Sequence, residues 1–295
     1  MEINGVLEQS FKKWLQTLGY AESTVYNSVI YIKGFFQWLE QQNITHLNQI
    51  TKPTIKNYHN HLQTRKNKRQ SGSLSQNSIT GNINALKRFG RYLDGTGKAS
   101  LEIDIQPNRA TGGTKAILTK QEVQKLYKAC GSDCLGIRDR AMLDIYYGCG
   151  LRRSEGINLD LSDILLKEKL VHVRQGKGYK ERYVPITETL KESLANYINT
   201  ARKELLAGSG SNNSNGNGFF IGITGKRIGG ATAITRVQQL AKAANLDKAI
   251  GLHTLRHSIA THLWQSGMGL EDVSRFLGHS SLESTQIYTH LANEI

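Results

Sequence analysis

The chain has 295 residues, 38% of them hydrophobic, and a formal net charge of +14. That length suits two domains better than one, at roughly 100–200 residues per domain, and no apolar run approaches the roughly 20 residues that span a bilayer. Met1-Glu2-Ile3-Asn4-Gly5 lacks the basic start and apolar stretch of a signal peptide, and Cys130, Cys134 and Cys149 have no CxxC spacing, which reads as packing thiols of an intracellular protein.

Residues 1–107 hold 13 Lys+Arg against 7 Asp+Glu, a net of +6, which leaves +8 of the total +14 for the remainder. Both parts are basic, as a chain would be if both touched one polyanion such as DNA. A merely basic protein fits the charge equally well.

Residues 1–94 predict four helices. Leu7, Phe11, Trp14, Leu15 and Leu18 recur at helical spacing and stop at Gly19. Ser23 or Thr24 is the expected cap of a second helix, with Val25, Val29, Ile32, Phe36 and Leu39 on one face. A third helix starts near Pro53, a favoured first helical residue, and runs to about Leu62. Ser75 or Asn77 opens a fourth through Ile79, Ile83, Leu86, Phe89, Tyr92 and Leu93. Arg65, Lys66, Lys68 and Arg69 lie between the third and fourth helices, and Lys87, Arg88 and Arg91 lie on the fourth. Contact with phosphates and plain solvation are both open readings of this charge.

Ile105 to Thr114 carries Pro and Gly without periodicity and reads as a linker. The expected division is a helical domain at 1–107, a linker at 108–114 and a second domain at 115–295. Thr119-Lys120-Gln121-Glu122 fits a helix-opening capping box, and a further helix is expected from Ile137 to Tyr147. From Asp163 the pattern changes to short strands at 164–166, 170–173 and 182–186, with a turn at 176–180. Helices resume over 188–207. Gly208 to Gly218 is a low-complexity surface loop, followed by helices at 231–244, 253–265, 270–276 and 282–291. The fold class is mainly α with a small antiparallel sheet.

Several residues of this second part are suited to phosphate chemistry. Arg152 follows a predicted helix, with Glu155 three residues on to orient it; alone, the pair is also what a surface salt bridge looks like. Lys177 sits between two glycines in the expected turn, where a solvated lysine is equally ordinary. His253 and Arg256 are three apart on a helix and share a face, while His257 is expected to pack or bond internally. His253 and His257 have the spacing of a metal pair but no accompanying HExxH glutamate, so no metal is expected. His279 and Tyr288 say little individually.

As a set, Arg152, Lys177, His253, Arg256, His279 and Tyr288 supply the parts for phosphodiester transesterification without metal. A tyrosine nucleophile with a pKa near 10 needs activation, which a histidine can give by taking its proton. Guanidiniums neutralise charge on the phosphate oxygens. A lysine or histidine returns a proton to the leaving oxygen.

Gly150-Leu151-Arg152 with Ser154-Glu155, Gly176-Lys177-Gly178 ahead of Arg182-Tyr183-Val184-Pro185, His253-Thr254-Leu255-Arg256-His257, Leu277-Gly278-His279, and Thr285-Gln286-Ile287-Tyr288-Thr289-His290 together resemble the tyrosine recombinases of the phage integrase family. Xer-like and transposon-encoded members are the nearest in pattern. The resemblance is strong from Leu118 to Leu291 and weaker over residues 1–107.

It implies a two-domain clamp on duplex DNA, with a helical, SAM-like core-binding domain and an α+β catalytic domain. Tyr288 would form a 3′-phosphotyrosine, Arg152 and Arg256 would hold the phosphate, and Lys177 would protonate the leaving oxygen. His253 and His279 would assist proton transfer, with Glu155 supporting the site. No cofactor or metal is implied. The implied partners are a duplex recombination site, a homotetramer working through a Holliday junction from a free monomer or dimer, and room for an accessory DNA-bending factor. No membrane is involved, and the setting would be cytoplasmic and nucleoid-associated. The chain stops seven residues after Tyr288, a shorter tail than many relatives carry, which leaves open how protomers are coupled.

Three alternatives remain. A metal-dependent nuclease would use Glu155, Asp160 and Asp163. A DNA-binding accessory factor would not need the six-residue set. A type IB topoisomerase-like enzyme would share the chemistry but relax supercoils without site preference. The DNA site, and whether the outcome is integration, excision, inversion or resolution, is not written in these residues.

Overall fold

The computed structural model describes residues 5–66, 72–106, 116–174, 181–208 and 216–278. The chain divides into two compact units, Met1–Gly113 and Thr114–Ile295. The expected linker at 108–114, the strand turn at 176–180, most of the loop at 208–218 and the helix at 282–291 lie outside the described residues.

The first unit is helical. Helix α1 (Gly5–Thr17) buries Leu7, Phe11 and Leu15, spaced four apart on one face. Helix α2 (Glu22–Gln41) begins earlier than its serine and threonine suggested: Ala21 is the N-cap and makes no side-chain bond. The Ala21 carbonyl instead takes the Thr24 and Val25 N–H groups, and Glu22 places negative charge at the positive end of the helix.

The buried face of α2 is also wider than one stripe. Phe35 is in the core and Phe36 only half-buried. Phe35 packs on Tyr58 with ring centroids 4.7 Å apart, while Phe36 meets Phe89 at 5.5 Å. Helix α3 (Lys52–Thr64) is capped by Thr51, with Pro53 in its first turn. Helix α4 (Gln76–Gly95) starts at Ser75, whose hydroxyl accepts the Ser78 N–H. Its Phe89 and Tyr92 close on Phe11 at 5.3 and 5.6 Å. Each such fully buried side chain contributes roughly 1.5–3 kcal/mol.

In the second unit, Thr119 and Glu122 form a reciprocal capping box at helix α5 (Lys120–Lys128). Helix α6 (Cys134–Leu143) runs into a single π-helical turn, Asp144–Gly148, closed by Cys149 N–H donating to the Asp144 carbonyl at 2.9 Å. Asp144 fastens this turn to its neighbours by accepting from Tyr127 Oη at 2.9 Å and Ser193 Oγ. Burial pushes its carboxyl up to about 6, against the opposing pull of those hydroxyls and Arg140. Gly150, at φ +60°, then turns the chain into helix α7 (Arg153–Ile157).

Strands β1 (Ile164–Leu165), β2 (Leu170–Val173) and β3 (Arg182–Pro185) form an antiparallel sheet in the order β1-β2-β3, with Val171 opposite Val184 and Val173 opposite Arg182. Asp163 was expected to begin this sheet. It sits instead in the 3-10 turn before β1, where its carboxylate accepts the Asp160 N–H. The helical run at 188–207 is two helices, α8 (Glu188–Asn199) and α9 (Ala201–Ala207). They break at Thr200, whose hydroxyl donates to the Asn196 carbonyl at 2.6 Å, a local bond that competes with the helix. Helices α10 (Gly230–Ala243), α11 (Leu252–Gln265) and α12 (Leu270–Leu277) complete the described unit. The architecture is mostly helical with one small sheet.

Candidate functional site

Arg152 enters the site because the π turn and Gly150 deliver it to the position just before α7. Its main-chain N–H donates to Glu155 Oε2 at 2.9 Å, and its Nη1 donates to Oε1 at 2.7 Å. Glu155, 5% exposed, is held from the other side by Arg182 on β3. Arg182 Nη1 donates to Oε1 at 3.2 Å and Nη2 to Oε2 at 2.9 Å, a bidentate fork. Arg256, on α11 and 3% exposed, brings Nη1 to 3.8 Å from Glu155 Oε2. Burial alone would raise the Glu155 carboxyl, but the Arg182 fork and charge, then the Arg152 N–H and guanidinium, outweigh it and hold the group at about 2. Three guanidiniums against one carboxylate leave a formal surplus of two positive charges.

The same three arginines gather the C-terminal end of α12. Arg182 Nε donates to the Phe276 carbonyl at 3.3 Å, Arg256 Nη2 to Leu277 at 2.8 Å, and Arg152 Nη2 to Gly278 at 2.9 Å. Carbonyls at a helix end have no helical partner and carry its negative dipole charge, so cations are stabilised there. Arg256 also donates to the Gly150 carbonyl.

Two glycines make this approach feasible. A Cβ on Gly278 (φ +64°) would lie 2.9 Å from Arg182 Cδ and Nε, and one on Gly150 would lie 2.8 Å from Leu277 Cδ2.

His253 is exposed in the first turn of α11, with its ring centroid 6.4 Å from that of the half-buried His257. Lys177, His279 and Tyr288 lie outside the described residues, as do Lys68 and Arg69. Arg65 and Arg88 are half-buried and Lys66 is exposed. The Arg88 guanidinium lies over the Tyr20 ring at 5.7 Å and reaches Ser28 Oγ at 3.4 Å, so packing accounts for much of it. Lys87 and Arg91 share a shallow cleft with Asp94 and Glu102.

Asp160 and Asp163, two of the carboxylates of the nuclease alternative, are both paired with Arg174, and Asp160 also with Arg227. With Glu155 held by arginines as well, each of the three is already paired with an arginine. Among the described residues, no group of three His, Cys, Asp or Glu is gathered as metal ligands would be.

Arg182 is the site residue that sequence reasoning missed. A signal was there: strand side chains alternate, so Arg182 shares a face with Val184, and Val184 is buried. An arginine on the inward face of a strand needs a charged partner.

Comparison with known proteins gives the family of the chain. Residues 116–294 match the phage integrase family and residues 7–96 its N-terminal SAM-like domain. The chain is 31% identical over 293 residues to the tyrosine recombinase XerD of Halalkalibacterium halodurans, covering 98% of this chain and 94% of that one. It is 38% identical over 215 residues to XerD of Pseudomonas aeruginosa, covering 71% and 70% of the two chains. A lambda integrase tetramer bound to a Holliday junction shares the fold, with a TM-score of 0.72 at 18% identity over 96% of this chain and 76% of that one. The chain belongs to the phage integrase family, the tyrosine recombinases, which cleave and rejoin DNA strands site-specifically.

Proposed function

We propose that Tyr288 of this recombinase attacks the scissile phosphate, forming a 3′-phosphotyrosine and releasing a 5′-hydroxyl strand. The P–O bond to the tyrosine forms as the bond to the 5′ oxygen breaks. The phenol proton passes to a histidine, His253 or His279, and Lys177 gives a proton to the leaving oxygen. Attack by a 5′-hydroxyl of another strand reverses the step, so one ester replaces another and no ATP or metal is consumed. Arg152 and Arg256 hold the nonbridging oxygens, where a donor of this kind is worth on the order of 10²–10³ in rate.

The observation that carries this reading is the convergence of Arg152, just before α7, and Arg256, on α11, on one buried carboxylate. Such an arrangement presents fixed cations with a net positive surplus to an anion. The working partner is a duplex recombination site, and the working assembly is a homotetramer on two paired sites, a reading supported by the tetrameric lambda integrase on its Holliday junction. Assembly from free monomers or dimers, help from a DNA-bending accessory factor and residence on the nucleoid belong to the same reading. Division into a core-binding domain at 1–107 and a catalytic domain at 115–295 also belongs to it. Arg65, Lys66, Lys68, Arg69, Lys87, Arg88 and Arg91 are its proposed phosphate contacts in the first domain.

Covalent trapping tests it. The protein is mixed with fragmented DNA from its source in EDTA and denatured in SDS, and DNA attached to protein is recovered, with Tyr288→Phe in parallel. Adducts from wild type alone, mapping to Tyr288 and to few sequences, are expected. Adducts at many unrelated sequences point to a topoisomerase, and cleavage that appears only with Mg²⁺ points to a nuclease; either overturns the proposal.

A further inference from the structure

We propose that Arg182 is a positioning residue of the phosphate pocket, acting through Glu155 and the α12 end to keep Arg152 and Arg256 aimed at the scissile phosphate. The inference rests on the recombinase reading above and adds to it a residue outside the six catalytic positions.

Three observations carry it. First, each Arg182 nitrogen already makes a bond: Nη1 and Nη2 donate to Glu155, and Nε to the Phe276 carbonyl. The Arg182 guanidinium is thus turned toward the carboxylate and the end of α12. Second, Glu155 is shared. Its Oε1 accepts from both Arg152 and Arg182, and its Oε2 from Arg182 and the Arg152 main chain. Without the second guanidinium, each carboxylate oxygen loses one of its two donors, and Glu155 is held by Arg152 alone instead of being fixed independently of it. Third, Gly278 lies directly against the Arg182 side chain, where a Cβ would come within 2.9 Å of Cδ, Nε and Nη1. The carbonyls taken by Arg152 and Arg256 belong to this same Leu277-Gly278 stretch. Arg182 thus contacts both supports of both phosphate-holding arginines.

A lysine cannot replace this fork, because its ammonium is a point charge and cannot bridge two carboxylate oxygens and a carbonyl at once. A direct phosphate contact by Arg182 is the competing account, and the two differ in what they couple to.

The test is single-turnover strand cleavage at saturating DNA, using a duplex of the sequence recovered by covalent trapping. The duplex is made with either an ordinary phosphodiester or a methylphosphonate at the scissile position. The methyl group removes the charge that the guanidiniums hold, so a residue acting by aiming them matters less on that substrate. Arg182→Ala is expected to slow phosphodiester cleavage about 100-fold and Arg182→Lys about tenfold, with the alanine penalty shrinking to about threefold on methylphosphonate DNA. In a Glu155→Gln background, Arg182→Ala should add no more than about threefold, since two residues acting as one unit are not additive. Equal penalties on both substrates would reduce Arg182 to a fold-stability role. A full penalty persisting in the Glu155→Gln background would make it a direct phosphate ligand, and wild-type rates in Arg182→Lys would remove the need for the fork; each overturns the proposal. If wild type itself forms no Tyr288 adduct, the recombinase reading falls first and this inference falls with it. Normal wild-type cleavage with unaffected Arg182 variants sinks the inference alone.

Discussion

Glu155→Gln isolates what one charge does at the centre of the arginine cluster. Glutamine keeps the shape and one acceptor oxygen but places an NH₂ where a guanidinium now donates. The wild-type carboxyl is held at about 2 in the fold, against an ordinary value of 4.5. At about 1.4 kcal/mol per pH unit, that difference makes the charged form worth about 3 kcal/mol to the folded state. Because the folded value is the lower one, this stability is fully present above pH 4.5 and is lost as pH falls towards 2. The gap between wild type and Glu155→Gln should therefore be about 3 kcal/mol at pH 7 and close to that at pH 5. By pH 3 it should shrink to about 1 kcal/mol. Urea denaturation followed by hydrogen-exchange mass spectrometry measures this, reading peptides of residues 116–278, because a chain of two units need not unfold in one step. A gap that stays constant from pH 7 to pH 3 would refute the argument, since it would mean that Glu155 stabilises by shape and not by charge.

Asp144 titrates with the opposite sign. Its folded value of about 6 lies above the ordinary 3.8, so ionisation costs stability as pH rises from about 4 to 6, by about 3 kcal/mol in all. Asp144→Asn should gain on wild type over that interval in the same urea assay, and a gain on lowering the pH instead would overturn the assignment. Gly278→Ala forces a side chain into the left-handed region and against Arg182. It should cost about 1–2 kcal/mol in stability and reduce cleavage at least tenfold, whereas unchanged cleavage would separate the α12 end from the pocket.

The helices were legible because their signals are local. Thr119 with Glu122, Pro53 and Ser75 each mark a helix start in the structure as their chemistry suggests. Where two neighbours cover one helix, the signal failed: Phe35 and Phe36 of α2 both pack, on Tyr58 and Phe89, so no single stripe describes that helix. At the site, the Arg152–Glu155 pairing followed from a three-residue spacing at a helix start, which local geometry enforces. Arg182 is a different case. Its partners lie 27 residues before it and 94 after it in sequence, and nothing local to β3 names them. The π turn was illegible as well, because Asp144 is held there by Tyr127 and Ser193 from other helices.

The cluster explains how the proposed phosphate pocket can be assembled before any phosphate arrives. Two guanidiniums about 4 Å apart repel by about 4 kcal/mol at the effective dielectric of a protein, and three would not gather unaided. A site with as many carboxylates as arginines would remove the repulsion but also the attraction for DNA. Here one buried carboxylate is shared by all three arginines, and each arginine gives a further donor to an uncharged carbonyl, of Phe276, Leu277 or Gly278. Those carbonyls satisfy hydrogen bonds and contribute partial negative charge without cancelling a full unit. The surplus of two positive charges therefore survives in a hydrogen-bonded frame. That is why the end of a helix, and not a second acid, is the fitting partner for arginines whose proposed task is to receive an anion.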